Sequence, residues 1–308
     1  MPDRGSLFAF STAVMFATFG IFAKYIYAYN LSSIMIFFLS SLFSVLILLS
    51  ILLHRYKDLK FITKIKRRDF KLSFLGTGLV GLFLTNIFVL MALQYIGVGL
   101  QKVITYSNPL FTILVYRFFF KKKMSKNEVI GVTLMILGLV LTVGNAAITS
   151  NLFYGVLFSL LAAFFSSTNS MLTETFRTSL DVVLYWFYSF LGSTFFSLLV
   201  MLLSGESLNI FPLLIKPKLM ILIILCATLN FVLPYLAFFK AVITIGAVRT
   251  GIVMTTSPAL TAILGAILLG EKMTLLQVFG IIIIIAASIV SALKVDNAPP
   301  PESLKVGI

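Results

Sequence analysis

Charge is scarce in this chain. Only 11% of its 308 residues are Asp, Glu, Lys or Arg, against about a quarter in a soluble domain. Sixty per cent are apolar and the mean hydropathy is +1.09. Those values exclude a soluble globular protein and predict one whose mass lies mostly in lipid. Cysteine is nearly absent as well: Cys226 stands alone, so no intramolecular disulfide exists and redox compartment cannot be read. The single histidine, His54, excludes a His-Glu-x-x-His zinc site. No pair of intramembrane carboxylates and no nucleophile beside a base is visible, so no enzyme, metal or cofactor is expected. No Asp, Glu, Arg or His stands at the centre of an apolar run. That absence argues against direct proton coupling and against a strongly ionic substrate held by a buried counter-charge. Acids are outnumbered by bases, 10 to 24, but the surplus does not predict nucleic-acid binding. Its densest part, Arg55 to Lys71, is a short loop between apolar segments, as on the cytoplasmic side of a membrane protein.

What the chain has is long apolar runs. A membrane-crossing helix needs about 20 mostly apolar residues. Ten segments qualify, at approximately 7–27, 31–53, 72–93, 99–120, 127–147, 152–173, 181–203, 219–240, 246–269 and 275–294. The first is too long for a secretory signal and is followed by Lys24-Tyr25-Ile26-Tyr27 rather than a small-residue cleavage site. With the N-terminus inside, 19 of the 24 Lys and Arg residues fall on the inner side; Lys24, Lys102, Lys216, Lys218 and Lys272 fall outside. Both termini are therefore expected in the cytoplasm of a plasma-membrane protein.

The sequence also matches itself at an offset of 149 residues. Met91–Gly97 lies over Lys240–Gly246, Pro109 over Pro258, Thr112 over Thr261, Lys123-Met124 over Lys272-Met273, and Gly131 over Gly280. Shared Gly and Pro carry weight because each fixes a backbone feature. Five spans per copy is an odd number, so the second copy enters the membrane from the opposite side. The expected fold is an all-α integral membrane protein of ten transmembrane helices, built as two inverted five-helix repeats, 1–148 and 149–294. A cytoplasmic tail, 295–308, follows. Such inverted repeats are characteristic of carriers that alternate between inward and outward openings.

Two motifs specify the family. Tyr106-Ser107-Asn108-Pro109 and Thr255-Thr256-Ser257-Pro258 each follow an Ile-Gly by about ten residues, and Leu269-Gly270-Glu271-Lys272-Met273-Thr274 opens into Gly280. In these the chain resembles the ten-helix drug/metabolite transporter superfamily of the EamA type, from about Phe8 to Leu293. The resemblance implies transport of a small molecule, with export as the family analogy. It departs from the pattern at Lys121-Lys122, where Gly-Glu would stand in the first half, and at Phe16, where many members carry Trp.

The residues themselves mark candidate contacts. Pro109 and Pro258 fall near the middle of their spans and are expected to bend them as gates, freeing the carbonyls of Thr105 and Met254. Thr105, Asn108 and Thr112 form a polar stripe there, mirrored by Ser257 and Thr261. Asn108 carries the most unsatisfied hydrogen-bonding capacity. Phe16 and Phe19 share one face of the first span, and Phe165 shares a face with Thr168 and Asn169 in the sixth. Asn86 aligns with Tyr235 across the repeat. The expected substrate-binding set is thus Asn108, Asn86, Tyr235, Asn169, Phe165, Thr105, Ser257, Phe16 and Phe19. Tyr185 and Trp186 read as interfacial anchors at the inner end of the seventh span. Ser40-x-x-x-Ser44 and Ser189-x-x-x-Ser193 read as close helix contacts. The expected partners are a small-molecule substrate and the lipid bilayer, with monomer and homodimer both open. A neutral or zwitterionic metabolite such as an amino acid is the leading substrate class. An organic cation or lipophilic compound is the alternative, and a channel a distant one.

Overall fold

The structure, a computed structural model, describes residues 4–56, 66–119, 126–143, 149–176, 181–206, 216–245 and 247–292. Among these residues there is no strand. The first half contains α1 (Arg4–Tyr27), α2 (Ser33–Tyr56), α3 (Arg67–Tyr95), α4 (Val98–Thr105), α5 (Asn108–Phe119) and α6 (Lys126–Val143). The second contains α7 (Ser150–Phe176), α8 (Val182–Leu203) and α9, which runs unbroken through Pro217–Cys226, Ala227–Val232 and Leu233–Ile245. It closes with α10 (Ala247–Met254), α11 (Thr256–Leu269) and α12 (Leu275–Ala292).

Helix is what an apolar chain must adopt in lipid, because every backbone polar group has to be satisfied within the segment. Several ends are closed by side chains placed to do it. Ser32 accepts from the Met35 N–H at 3.1 Å. Asp181 accepts from Val183 and Leu184 at 3.0 and 3.3 Å. Thr274 and Gln277 form a reciprocal capping box at the start of α12.

Among the described residues, six helices are long and apolar enough to span a membrane alone: Arg4–Tyr27, Ser33–Tyr56, Arg67–Tyr95, Ser150–Thr168, Val182–Leu203 and Pro217–Ala241. Val129–Val143, Thr256–Leu269 and Leu275–Ala287 are shorter apolar helices. The protein is therefore a multi-pass membrane protein. The fourth and ninth expected spans are not continuous. The first breaks at Tyr106–Ser107 and the second at Thr255, positions that the 149-residue offset superimposes. The prolines consequently do not kink helix interiors. Pro109 is the second residue of α5 and Pro258 the third of α11, in a first turn where no helical N–H bond is lost. At the first break Tyr106 N–H bonds Lys102 O at 2.9 Å and Leu110 N–H bonds Ser107 O at 2.9 Å. The two longest central rods also share a feature: Leu72–Leu84 in α3 and Ala227–Val232 in α9 are π-helical, and the offset lays the second stretch within the first.

Packing recurs between the halves. α1 lies against α9, α10 and α11, and its counterpart α7 lies against α3, α4 and α5. α2 packs on α8, and α6 on α12. Ser40, Ser44, Ser189 and Ser193 are all buried, and Thr194 bonds Ser41 at 3.0 Å across the α2–α8 contact. Close packing is therefore what these small residues provide. Tyr185 and Trp186 are 4% and 1% exposed, which corrects their reading as interfacial anchors. α6 and α12 cross at Gly138 and Gly280, where a Cβ on Gly280 would collide with the Thr142 hydroxyl and the Gly138 carbonyl. Their other faces display Val140, Leu275 and Phe279 outward, as a lipid-facing surface requires.

One end of the bundle gathers the 28–32, 96–97, 204–206 and 270–274 connections. There Ser32 donates to Glu206 at 2.6 Å, Tyr25 donates to the Leu268 carbonyl at 3.3 Å and Lys216 lies over the Tyr29 ring. The other end brings Gly5 against Thr244 and Ile245 and pairs Arg55 with Asp181 at 2.6 Å.

Gly280→Val should overpack the α6–α12 crossing at a cost of about 1–3 kcal/mol. We expect a lower thermal midpoint in detergent for this variant. Gly251→Ala, where an added Cβ meets nothing within 4 Å among the described residues, should leave the midpoint unchanged.

Candidate functional site

The residue that organises the centre of the bundle is Lys102, on α4. Its ammonium donates to the backbone carbonyl of Phe16 at 2.9 Å. Phe16 stands halfway along the 24-residue α1, about 16–18 Å from either end at 1.5 Å per residue. Lys102 is therefore a mid-depth cation, which corrects its placement among the outer-loop charges. The expectation that no Asp, Glu, Arg or His stands at a span centre did not extend to lysine. Two aromatic faces accompany it, Phe16 at 5.7 Å and Tyr106 at 5.3 Å. Among the described residues no carboxylate pairs with it.

From Phe16 the aromatic contacts continue inward. Tyr235 meets Phe16 edge-on at 5.3 Å, Trp186 at 4.3 Å and Phe190 at 5.8 Å. The Tyr235 hydroxyl lies near Asn86, whose own amide N–H bonds the Leu82 carbonyl at 2.8 Å. The repeat alignment of Asn86 and Tyr235 is thus also a spatial meeting across the halves. Thr18 donates to Asn230 at 3.0 Å, in the π-helical stretch of α9. Three buried polar atoms nearby have no hydrogen-bond partner among the described residues: Trp186 Nε1, Asn230 Nδ2 and Ser257 Oγ. Tyr106 approaches Ser257 without a bond that satisfies it. Unpartnered buried polar atoms are uncommon and call for a reason.

The other expected residues divide. Asn108 reaches from α5 to Ser166 of α7 at 3.3 Å, joining the two halves. Thr105 accepts from Gln101 at 2.7 Å. Thr112 and Thr261 bond carbonyls one turn back on their own helices, and Thr261 also donates to Ala17 O of α1 at 3.1 Å. Phe165 stacks on Phe88 at 5.7 Å, away from the Lys102 contacts. Phe19 is core, edge-on to Phe231 at 5.4 Å. The side chains of Asn169 and Pro109 lie outside the described residues. Lys102, Tyr106 and Trp186 were not among the expected contacts. The available signal was Lys102-x-x-x-Tyr106, one helical turn apart inside a run otherwise apolar enough to cross the membrane.

The Leu-Gly-Glu motif has a mechanical meaning. Gly270 takes a left-handed φ of +67° and the Glu271 N–H bonds the Gly265 carbonyl at 3.2 Å, so α11 stops abruptly. The turn delivers the Glu271 carboxylate to the first turn of α4, where it accepts from Val98 N–H at 2.7 Å and Gly99 N–H at 3.2 Å. A Cβ on Gly97 would strike that carboxylate. The second half thereby caps the helix that carries Lys102. Lys121-Lys122, the counterpart in the first half, lies outside the described residues. Among the described residues no group of three or more His, Cys, Asp or Glu side chains gathers as a metal site would.

The model of the EamA-like transporter family matches residues 3–144 and again 153–293. No curated protein matches the sequence. Among solved structures, one titled only as the crystal structure of a protein aligns over 93% of this chain and 96% of its own, with a TM-score of 0.66 and 14% identity. At that identity the likeness speaks for the fold.

Glu271→Ala should remove a charged cap and lower stability by about 1–2 kcal/mol. Thermal melts of the purified variants should place Glu271→Gln between Ala and the unchanged protein. Equal midpoints for all three would show that the cap contributes nothing.

Proposed function

Because the chain belongs to the EamA-like transporter family, we propose that it carries a small metabolite across the cell membrane by alternating access, its two five-helix halves inserted with opposite orientations. The observation that carries this reading is the reciprocal docking of α1 into the second half and α7 into the first, with Lys102, Tyr235 and Trp186 gathered between them. Two similar halves that each hold the other's leading helix can exchange roles, opening one end as the other closes. The matched breaks before α5 and α11 supply the hinges, and Pro109 and Pro258 fix the start of each moving segment. The Glu271 cap is a latch on one end.

The substrate is an amino acid or a related zwitterionic metabolite, and the direction is export, with both termini in the cytoplasm. The alternative of an organic cation in an aromatic box loses support from Lys102. The Phe16 face that would attract such a cation already faces an ammonium at 5.7 Å, and like charges in a medium of low dielectric repel strongly.

Two experiments test the proposal. Cys226 is the only cysteine and is buried, so a Cys226→Ser background is silent to thiol reagents. Cysteines introduced at 122 and 272 should label from opposite sides of the membrane; labelling from one side would end the inverted-repeat reading. In proteoliposomes, counterflow of pooled amino acids should be measurable. Asn108→Leu, which deletes the α5–α7 hydrogen bond, should lower that rate several-fold at matched protein levels. An unchanged rate would leave Asn108 a packing residue only.

A further inference from the structure

We propose that Lys102 is the recognition point for a carboxylate on the transported compound, whose apolar or aromatic body rests against Phe16, Tyr106 and Tyr235. The inference rests on the carrier reading above and names the chemistry that its central site selects.

The argument begins with donors. A lysine ammonium has three N–H groups and no acceptor, and among the described residues one of the three is used, on the Phe16 carbonyl at 2.9 Å. A cation held at mid-depth with one neutral acceptor and two ring faces is poorly compensated, and buried charges persist when paired. The carboxylate that touches α4, Glu271, is already engaged with the Val98 and Gly99 N–H groups. The missing partner is therefore an anion that comes and goes.

Its chemistry follows from the surroundings. Among the described residues no second lysine or arginine joins Lys102 at Phe16 or Tyr106. One fixed positive charge suits a monoanion better than a doubly charged phosphate, which would leave a net negative charge in hydrocarbon. The walls are aromatic, so an apolar body is accommodated where a bare inorganic ion gains nothing. Beside Tyr235, Trp186 adds an indole N–H that has no partner among the described residues. An amino acid with an apolar side chain fits this description by its carboxylate. So does a simple aryl-alkyl acid, which isolates the carboxylate from the amine.

Trp186 also provides the measurement. It is the only tryptophan in the chain and lies 4.3 Å from the Tyr235 ring, so intrinsic emission reports the site without requiring transport. Purified protein in detergent would be titrated at constant chloride with 3-phenylpropanoate, its amide and 2-phenylethylammonium. We expect a saturable change in Trp186 emission with the carboxylate, and binding at least about tenfold weaker for the amide and the amine. Lys102→Met should remove the preference for carboxylate over amide, and Lys102→Arg should keep part of it. If Lys102→Met does not fold, the carboxylate-to-amide ratio in the unchanged protein decides alone. Equal affinity for acid and amide overturns the assignment, as does displacement of the acid by chloride or sulfate at equal concentration. So does the absence of a saturable change with all three probes, an outcome that leaves the carrier reading to be judged by counterflow. Loss of counterflow with carboxylate binding intact would instead count against the carrier reading and not against Lys102.

Discussion

In hydrocarbon a polar group that lacks a protein partner has no water to fall back on, and the rest of this structure can be understood from that penalty. Unbroken helix is the default, because each residue then satisfies its own backbone. Departures from it occur at matched places: the Tyr106–Ser107 and Thr255 breaks, and the π-helical stretches of α3 and α9. These are the places where polar side chains crowd. Ser257 and Asn230, each with an atom unpartnered among the described residues, lie at or beside them. An irregular backbone at membrane depth is tolerated where protein or a polar interior surrounds it, and α1 supplies that surround for the second half as α7 does for the first.

The same penalty gives the Leu-Gly-Glu motif its work. The first-turn N–H groups of α4 have no helical acceptor, and Glu271 meets two of them from the other half of the chain. The cap stabilises α4 and ties α11 to it, joining the second half to the start of the helix that carries Lys102. Gly97 and Gly270 are required for separate reasons. The first leaves room for the carboxylate, and the second takes the left-handed turn that aims it.

Lys102 is where the penalty is least discharged. One carbonyl and two ring faces hold an ammonium halfway along α1, and the aromatic contacts run from there through Phe16 and Tyr235 to Trp186. The proposed carboxylate would complement that ammonium where a neutral analogue of the same shape would not. The polar threonines of α5 and α11 are largely spent on carbonyls of their own helices, so they contribute local satisfaction and helix contact more than recognition.

The helices, their approximate order along the chain and the membrane environment were legible from hydropathy alone, because apolar length is a local property. The repeat was legible because Gly and Pro at a fixed offset mark backbone features, and the family model matches the chain twice. The meeting of Asn86 with Tyr235 was visible as an alignment before it was visible as a contact. Local pattern could not decide depth or direction. Lys102 follows Gly97 closely enough to read as a loop charge, and only the packing of α4 against α1 carries its ammonium to the Phe16 carbonyl. Trp186 sits near a helix start, where Trp is common at the water interface, yet tertiary contact with Tyr235 buries it. Sequence determined which segments enter the lipid, since that depends on the transfer free energy of each segment alone. Tertiary structure decided which polar groups share the interior, since that depends on which helix happens to stand opposite.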